Sequence, residues 1–290
     1  MQRSSVSIFN IYQDYPIGMK TCFKTKGIAE YYSEPRDLSE CLIALEYAYS
    51  KNINVSTIGA GTHVLVSDEG VPGLVISSKE MKGIAIKGVL VEAMGGEMLN
   101  TLINTTIDHN LIGLEPLGGL PGTIAGAIAS NASAHGISIS QFEFYTDYLT
   151  IGGRMHRIPN YCDMNFMVPQ DSLMIGTALR LRPSKQTAEA RMRKEEFVEI
   201  AFIPPAENFS GYIFRNIDEK KLANLLERKN GYALEGCKAE FSKYQSNSIF
   251  TYPGCTASEI DRIINHVSDL IEKEEGERPL LALKKLGAFS

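Results

Sequence analysis

Residues 113–136 constrain this chain more than any other stretch. Glycine at 113, 118, 119, 122, 126 and 136 alternates with Pro116, Pro121 and small apolar residues, and Glu115 carries the only full charge. Glycine admits positive φ and lets backbone lie where a Cβ would intrude, while each proline fixes a turn. Such a backbone suits a flat or phosphorylated ligand. It equally suits a tightly packed core turn, so the rest of the chain has to decide.

An earlier segment bears on that choice. Asp37 is placed to cap a helix with Glu40 at its third position, and Leu38, Cys41, Leu42, Leu45 and Ala48 recur at helical spacing. A strand over residues 52–58 follows, completing a β-α-β opening, and runs into Gly59-Ala60-Gly61-Thr62. Consecutive backbone N–H groups and a hydroxyl at such a turn can hold a phosphate or pyrophosphate. No third glycine follows at the dinucleotide-fold spacing, and no helix pattern opens there. A plain turn between strands remains the competing reading.

Further along, short strands are expected near residues 73–77, 83–87 and 89–94, a helix from 97, and a hairpin around Gly152-Gly153. Another strand is expected over 173–182. The charged, helix-prone run 184–198 reads as a hinge into a C-terminal module, which begins with an apolar strand over 199–203. The module's last helix opens with Thr256 and Glu259 in a capping-box pattern and keeps a stripe through Ile260, Ile263, Ile264, Val267 and Ile271.

Composition excludes several classes. The 290 residues are 44% hydrophobic and 22% charged with a net charge of −5, which argues against nucleic acid or an anionic membrane as the main partner. No apolar run is long enough to span a bilayer, so the chain reads as cytoplasmic. Five cysteines, widely spaced and without a C-x-x-C pair, and five scattered histidines suggest neither a disulfide framework nor a metal site. No protein partner is evident from the residues.

The two glycine-rich loops, with Thr21, Gly27 and Ala29 before them, resemble the FAD-binding fold of the vanillyl-alcohol-oxidase (PCMH) type. More narrowly, Gly59-Ala-Gly-Thr62, Leu65 to Gly70, Gly113-Leu-Glu115, Gly119-Leu-Pro-Gly-Thr123, Gly126-Ala127 and Asn131 are similar to the UDP-N-acetylenolpyruvoylglucosamine reductase family, in its order and at its separations. The resemblance covers nearly the whole chain. It implies an α+β architecture: FAD-binding subdomains over 1–78 and 79–185, and an α/β substrate domain over 186–290. It implies FAD as cofactor, held by Gly59, Ala60, Gly61, Thr62, His63 and Val64 and by Gly119, Pro121, Gly122, Thr123, Gly126, Ala127 and Asn131. It also implies NADPH as hydride donor and a UDP-sugar substrate.

Several positions depart from the family's catalytic pattern. Tyr212 stands where the resemblance implies a proton-donating serine, with Arg215 and Asn216 following it in the segment assigned to substrate. Gln170 is nearest to the expected arginine, because no arginine occurs between Arg157 and Arg180. Ala282 takes the place of a glutamate, and Tyr244-Gln245 that of a lysine-histidine pair, leaving Lys243 as a substitute cation. The sequence therefore fits a divergent reductase using Tyr212 and Gln170. The alternative is a flavin-binding relative, a pseudoenzyme in regulatory, binding or different redox use.

Overall fold

The computed structural model describes residues 11–159, 172–200, 209–215 and 217–289, and of Ile200 only the backbone. The chain forms two compact units. One comprises residues 11–14, Glu30–Ala60 and the described part of Gly73–Phe202; the other comprises Tyr15–Ala29, Gly61–Pro72 and the described part of Ile203–Ser290.

The first unit opens on a four-stranded sheet in the order Ile11–Tyr15, Ala29–Ser33, Val71–Ser77, Val55–Ile58. Helix α1, Leu38–Lys51, makes the crossover before the last of these strands, which pairs parallel to Val71–Ser77 with Val55 opposite Leu74. Asp37 caps α1 by accepting from the Glu40 N–H at 2.9 Å, as its sequence position predicts. The reciprocal bond differs from the capping-box pattern, because the Glu40 carboxylate receives the Arg36 N–H at 2.7 Å. Cys41, Ala44, Leu45 and Ala48 on the inner stripe pack with Leu74, Ile76 and Met81.

A second, antiparallel sheet runs in the order Met155–Pro159, Glu143–Thr150, Ser172–Arg180, Leu90–Met94, Ile84–Lys87. Helices α2, Leu99–Asp108, α3, Ile124–Ala129, and α4, Thr187–Ile200, join this unit. Their core includes Leu102, Ile103, Ile107, Leu117, Ile124, Ile128, Tyr148, Leu179 and Ala190. Burial of each large apolar side chain contributes roughly 1.5–3 kcal/mol.

Helix α4 corrects two expectations. The run expected as a hinge is anchored within this unit, with Ala190 in the core, Lys194 Nζ donating to Asn104 Oδ1 at 2.8 Å and Arg191 paired with Asp108. Glu199 and Ile200, expected to begin a strand, close the helix instead, since the helix-forming run before them continues through their backbone bonds; the remainder of that expected strand lies outside the described residues.

The second unit centres on α6, Ala257–Glu275, whose Thr256 and Glu259 form the predicted capping box. Ile260, Ile263, Ile264, Val267 and Ile271 are all buried, against Leu222, Leu225 and Leu226 of α5, Glu219–Lys229, and against Phe214, Phe241 and Ile249. The strand Val64–Val66 pairs in parallel with Lys284–Leu286 near the chain's end, with Leu65 opposite Lys285. Ala239–Phe241 and Ile249–Thr251 form an antiparallel pair.

Candidate functional site

In the first unit the strand Val55–Ile58 delivers Gly59 and Ala60. A Cβ on Gly59 would lie 2.5 Å from Thr123 Oγ1, so glycine is what lets the two glycine-rich segments meet. Thr123 in turn caps α3: its Oγ1 accepts from the Gly126 N–H at 3.3 Å. The backbone here is stitched by Leu99 N–H to Gly122 O at 3.0 Å, Ile124 N–H to Glu97 O at 2.8 Å and Ala125 N–H to Gly95 O at 2.8 Å. Residues 113–136 are therefore not one long loop, being interrupted by a 3₁₀ turn over Glu115–Leu117, the helix α3 and a short strand over Ser133–Ala134.

What this arrangement leaves over is informative. Among the described residues, the N–H groups of Gly59, Ala60, Gly119, Gly122 and Thr123 donate to no protein acceptor, and Gly122 and Thr123 are buried. A buried donor without a partner costs about 1–3 kcal/mol, and such groups in native folds generally meet water or a ligand. Pro121, Gly126 and Asn131 are exposed, Ala127 is buried, and a Cβ on Gly126 would face open space apart from Thr123 Oγ1 at 3.6 Å. Asn131, at φ 48°, ends the helix by donating to Ile128 O at 3.0 Å. Glu115, the lone carboxylate of the stretch, is turned inward, accepting from the Gly113 N–H at 2.6 Å with Arg193 3.7 Å away.

In the second unit Gly61 holds φ 75°, and a Cβ there would lie 2.9 Å from Lys20 O. Its carbonyl accepts from the Cys22 N–H at 3.1 Å, while Thr21 Oγ1 donates to Gly18 O at 2.8 Å. The N–H groups of Gly61, Thr62 and His63 donate to no protein acceptor among the described residues. His63 is half-buried just before Val64; its Nε2 lies 3.0 Å from Tyr212 O, and burial lowers its imidazole pKa, so it stays neutral near pH 7.

Tyr212, Gln245 and Ala282, three positions at which the chain departs from the family pattern, fall on neighbouring backbone of this unit. Ile213, next to Tyr212, accepts from the Ala282 N–H at 2.8 Å and donates to Asn247 O at 2.8 Å. The Tyr212 side chain is 39% exposed, with the Glu219 carboxylate and the Gln245 side chain near enough to its phenol to shift its titration. Burial and then Glu219 raise its pKa above the usual phenol value, with Gln245 acting in the opposite sense. Gln245 Oε1 is buried and has no hydrogen-bond partner among the described residues.

The remaining expected residues are placed less closely. Arg215 is exposed and its Nε donates to Leu281 O at 3.1 Å, while Lys243 Nζ lies 5.9 Å from the Tyr232 ring centroid. Gln170 and Asn216 lie outside the described residues.

Asn247 escaped the sequence reading. Its Oδ1 accepts from the Phe214 N–H at 2.9 Å and its Nδ2 donates to Phe214 O at 2.8 Å, fixing the segment that carries Tyr212. Glu219 was missed as well, because only the fold brings the first residue of α5 to the phenol. Asn247→Ala orphans two buried backbone groups and is expected to cost about 2–4 kcal/mol, read by urea unfolding; a loss below about 0.5 kcal/mol would contradict this clamp.

Among the described residues no cluster of His, Cys, Asp or Glu could hold a metal ion, and no helix is long and apolar enough to cross a membrane. Cys22, Cys41 and Cys255 are free thiols pushed up to about 12, burial being the main cause. Their thiolate fraction at pH 8 is thus roughly 10³-fold below that of an unperturbed cysteine. These three should resist maleimide in the native protein and react on unfolding, as peptide mass mapping can verify.

Residues 29–158 match the FAD binding domain family, which gives the unit its vanillyl-alcohol-oxidase-type fold within an α+β chain and indicates FAD as its cofactor. The UDP-N-acetylenolpyruvoylglucosamine reductase of Synechococcus sp. (strain RCC307) is 30% identical over 299 residues, spanning 97% of this chain and 95% of that protein. The enzyme of the same name from Aquifex aeolicus is 26% identical, over 91% of each chain. A crystal structure of UDP-N-acetylenolpyruvylglucosamine reductase from Thermus caldophilus superposes with a TM-score of 0.77 at 20% identity, covering 96% of this chain and 98% of that one, and so shares its fold. The chain belongs to the UDP-N-acetylenolpyruvoylglucosamine reductase family.

Proposed function

We propose that this chain is an FAD-dependent oxidoreductase of its family, taking hydride from NADPH and acting on a UDP-sugar, in which proton delivery is rebuilt around Tyr212. The observation that carries the flavin part is the set of unpartnered backbone donors along both glycine segments, beside a wall whose one carboxylate, Glu115, is turned inward. These features fit a bound dinucleotide. The residues that would hold it are Gly59, Ala60, Gly61, Thr62, His63 and Val64 in the first loop, and Gly119, Pro121, Gly122, Thr123, Gly126, Ala127 and Asn131 in the second. When bound, the flavin supplies the two-electron redox chemistry.

The chain's own residues have the other half of the reaction to perform, which is to protonate a carbanion-like carbon. An acid serves here even when its pKa is high, because the acceptor is strongly basic. Tyr212 meets that need: its raised pKa keeps the phenol protonated through the neutral range. Glu219 acts with burial in raising that pKa, and Gln245 acts against it. Gln170, Arg215, Asn216 and Lys243 are assigned to the substrate in this reading.

Ala282 favours a second reading. A methyl group replaces the carboxylate that the resemblance implies there. On that basis the chain would bind flavin without catalysing this reduction, in a regulatory, binding or different redox role. Anaerobic reduction by NADPH, followed by addition of UDP-N-acetylglucosamine enolpyruvate, separates the two. Return of the visible flavin band supports the reductase; a flavin that is reduced and stays reduced supports the second reading; a protein that acquires no flavin band from FAD removes both.

A further inference from the structure

The first glycine loop and the residue assigned to proton delivery are joined by one side chain. His63 Nε2 lies 3.0 Å from the Tyr212 carbonyl oxygen, and the imidazole rests on Gly211 so closely that a Cβ there would lie 2.1 Å from Cε1 and 2.8 Å from Nε2. The same residue is anchored on its own backbone, its carbonyl accepting from the Lys284 N–H at 3.0 Å. On the far side of the tyrosine, Ile213 is tied to Asn247 and Ala282, and Phe214 is bracketed by the Asn247 side chain. Tyr212 thus has a rigid C-terminal neighbour, while His63 supplies the contact to its own carbonyl.

We propose that His63 is a positioning residue that fixes Tyr212 by donating Nε2–H to its carbonyl and by packing on Gly211, so that residues 61–64 of the first glycine loop and the tyrosine move as one piece. This rests on the assignment of Tyr212 as proton donor. Three features support it. A carbonyl acceptor requires Nε2 to carry the hydrogen, which specifies the tautomer. A half-buried imidazole kept neutral by its surroundings holds this donor without adding a charge. Finally, glycine at 211 is required by the contact itself, since any side chain there would displace the ring or the backbone.

The experiment uses full-length protein labelled with ζ-¹³C tyrosine, with the Tyr212 resonance assigned by its loss in Tyr212→Phe. His63→Met and His63→Gln place unbranched side chains of equal length at the site, and only the latter has an amide donor. His63→Met is expected to shift the Tyr212 resonance by more than its linewidth or to split it, leaving the other tyrosines in place, and His63→Gln to restore most of the wild-type position. On saturation with FAD the wild-type Tyr212 resonance should move, with the response at least halved in His63→Met. If His63→Met does not fold, Gly211→Ala tests the same contact from the other side and should perturb Tyr212 alike. An unchanged Tyr212 resonance in the folded Met or Ala variant overturns the inference while the flavin band still forms. A wild-type protein that takes up no FAD overturns the loop link and the proposed function together, which the missing band identifies.

Discussion

Gly126→Glu yields a folded protein, as stable as the parent or slightly more so, that no longer acquires flavin. The two effects have separate causes. Gly126 is the third residue of α3, its N–H bonded to Thr123 Oγ1, and a Cβ at this exposed position meets only that oxygen, at 3.6 Å. Replacing glycine in a helix gains about 0.5–1 kcal/mol, and glutamate near a helix N-terminus is favoured by the dipole. The same carboxylate places bulk and negative charge on the uncharged wall beside the unpartnered donors of Gly119, Gly122 and Thr123. Opposing charges of like sign at contact distance cost a few kcal/mol at the effective dielectric of a protein surface, so FAD affinity should fall at least about 100-fold. Thermal unfolding of the apoprotein and FAD titration read the two effects independently. Equal losses of both would mean that the glycine serves packing alone.

The second large effect is expected at Tyr212. Tyr212→Phe removes the hydroxyl and keeps the ring. Removing a general acid typically costs 10²–10⁴-fold. Substrate-dependent reoxidation of the reduced flavin should accordingly fall at least about 100-fold, while reduction by NADPH, which needs no proton from this residue, stays within a few-fold of wild type. Since burial, then Glu219, hold the phenol pKa above its ordinary value, the wild-type reoxidation rate should show no alkaline loss through the neutral range. Loss appears only when the phenol itself ionises, above the usual tyrosine value. A variant that reoxidises at the parental rate would return the donor role to another group.

Much of the fold was legible because its signals were local. Asp37 announced α1, Thr256 with Glu259 announced α6, and the spacing of Ile260, Ile263, Ile264, Val267 and Ile271 marked the face that is buried. Helix α3 was hidden because Ile124–Ala129 is short and lies among glycines, and its start depends on the Thr123 cap rather than on composition. The pairing of Val64–Val66 with Lys284–Leu286 joins distant segments of the chain, which no local pattern can report. Helix α4 was misjudged because a charged run looks like a solvated connector until Ala190, Arg191 and Lys194 are seen to hold it down.

The candidate site divides in the same way. Glycine loops were readable, since φ 75° at Gly61 and the close approach of Gly59 to Thr123 are demands only glycine meets comfortably. The surroundings of Tyr212 were not, because Glu219, the Gln245–Asn247 segment and His63 come from three separate places in the chain and converge only when the second unit folds. Comparison with the family's motifs marked which residues had changed. Only the structure identified what the changed residues now touch.

The most direct test of the account is the anaerobic half-reaction of the flavin-loaded protein. After one equivalent of NADPH has bleached the visible flavin band, UDP-N-acetylglucosamine enolpyruvate should restore it in wild type and at least about 100-fold more slowly in Tyr212→Phe. A band that stays bleached in the wild-type protein at saturating substrate would contradict the account.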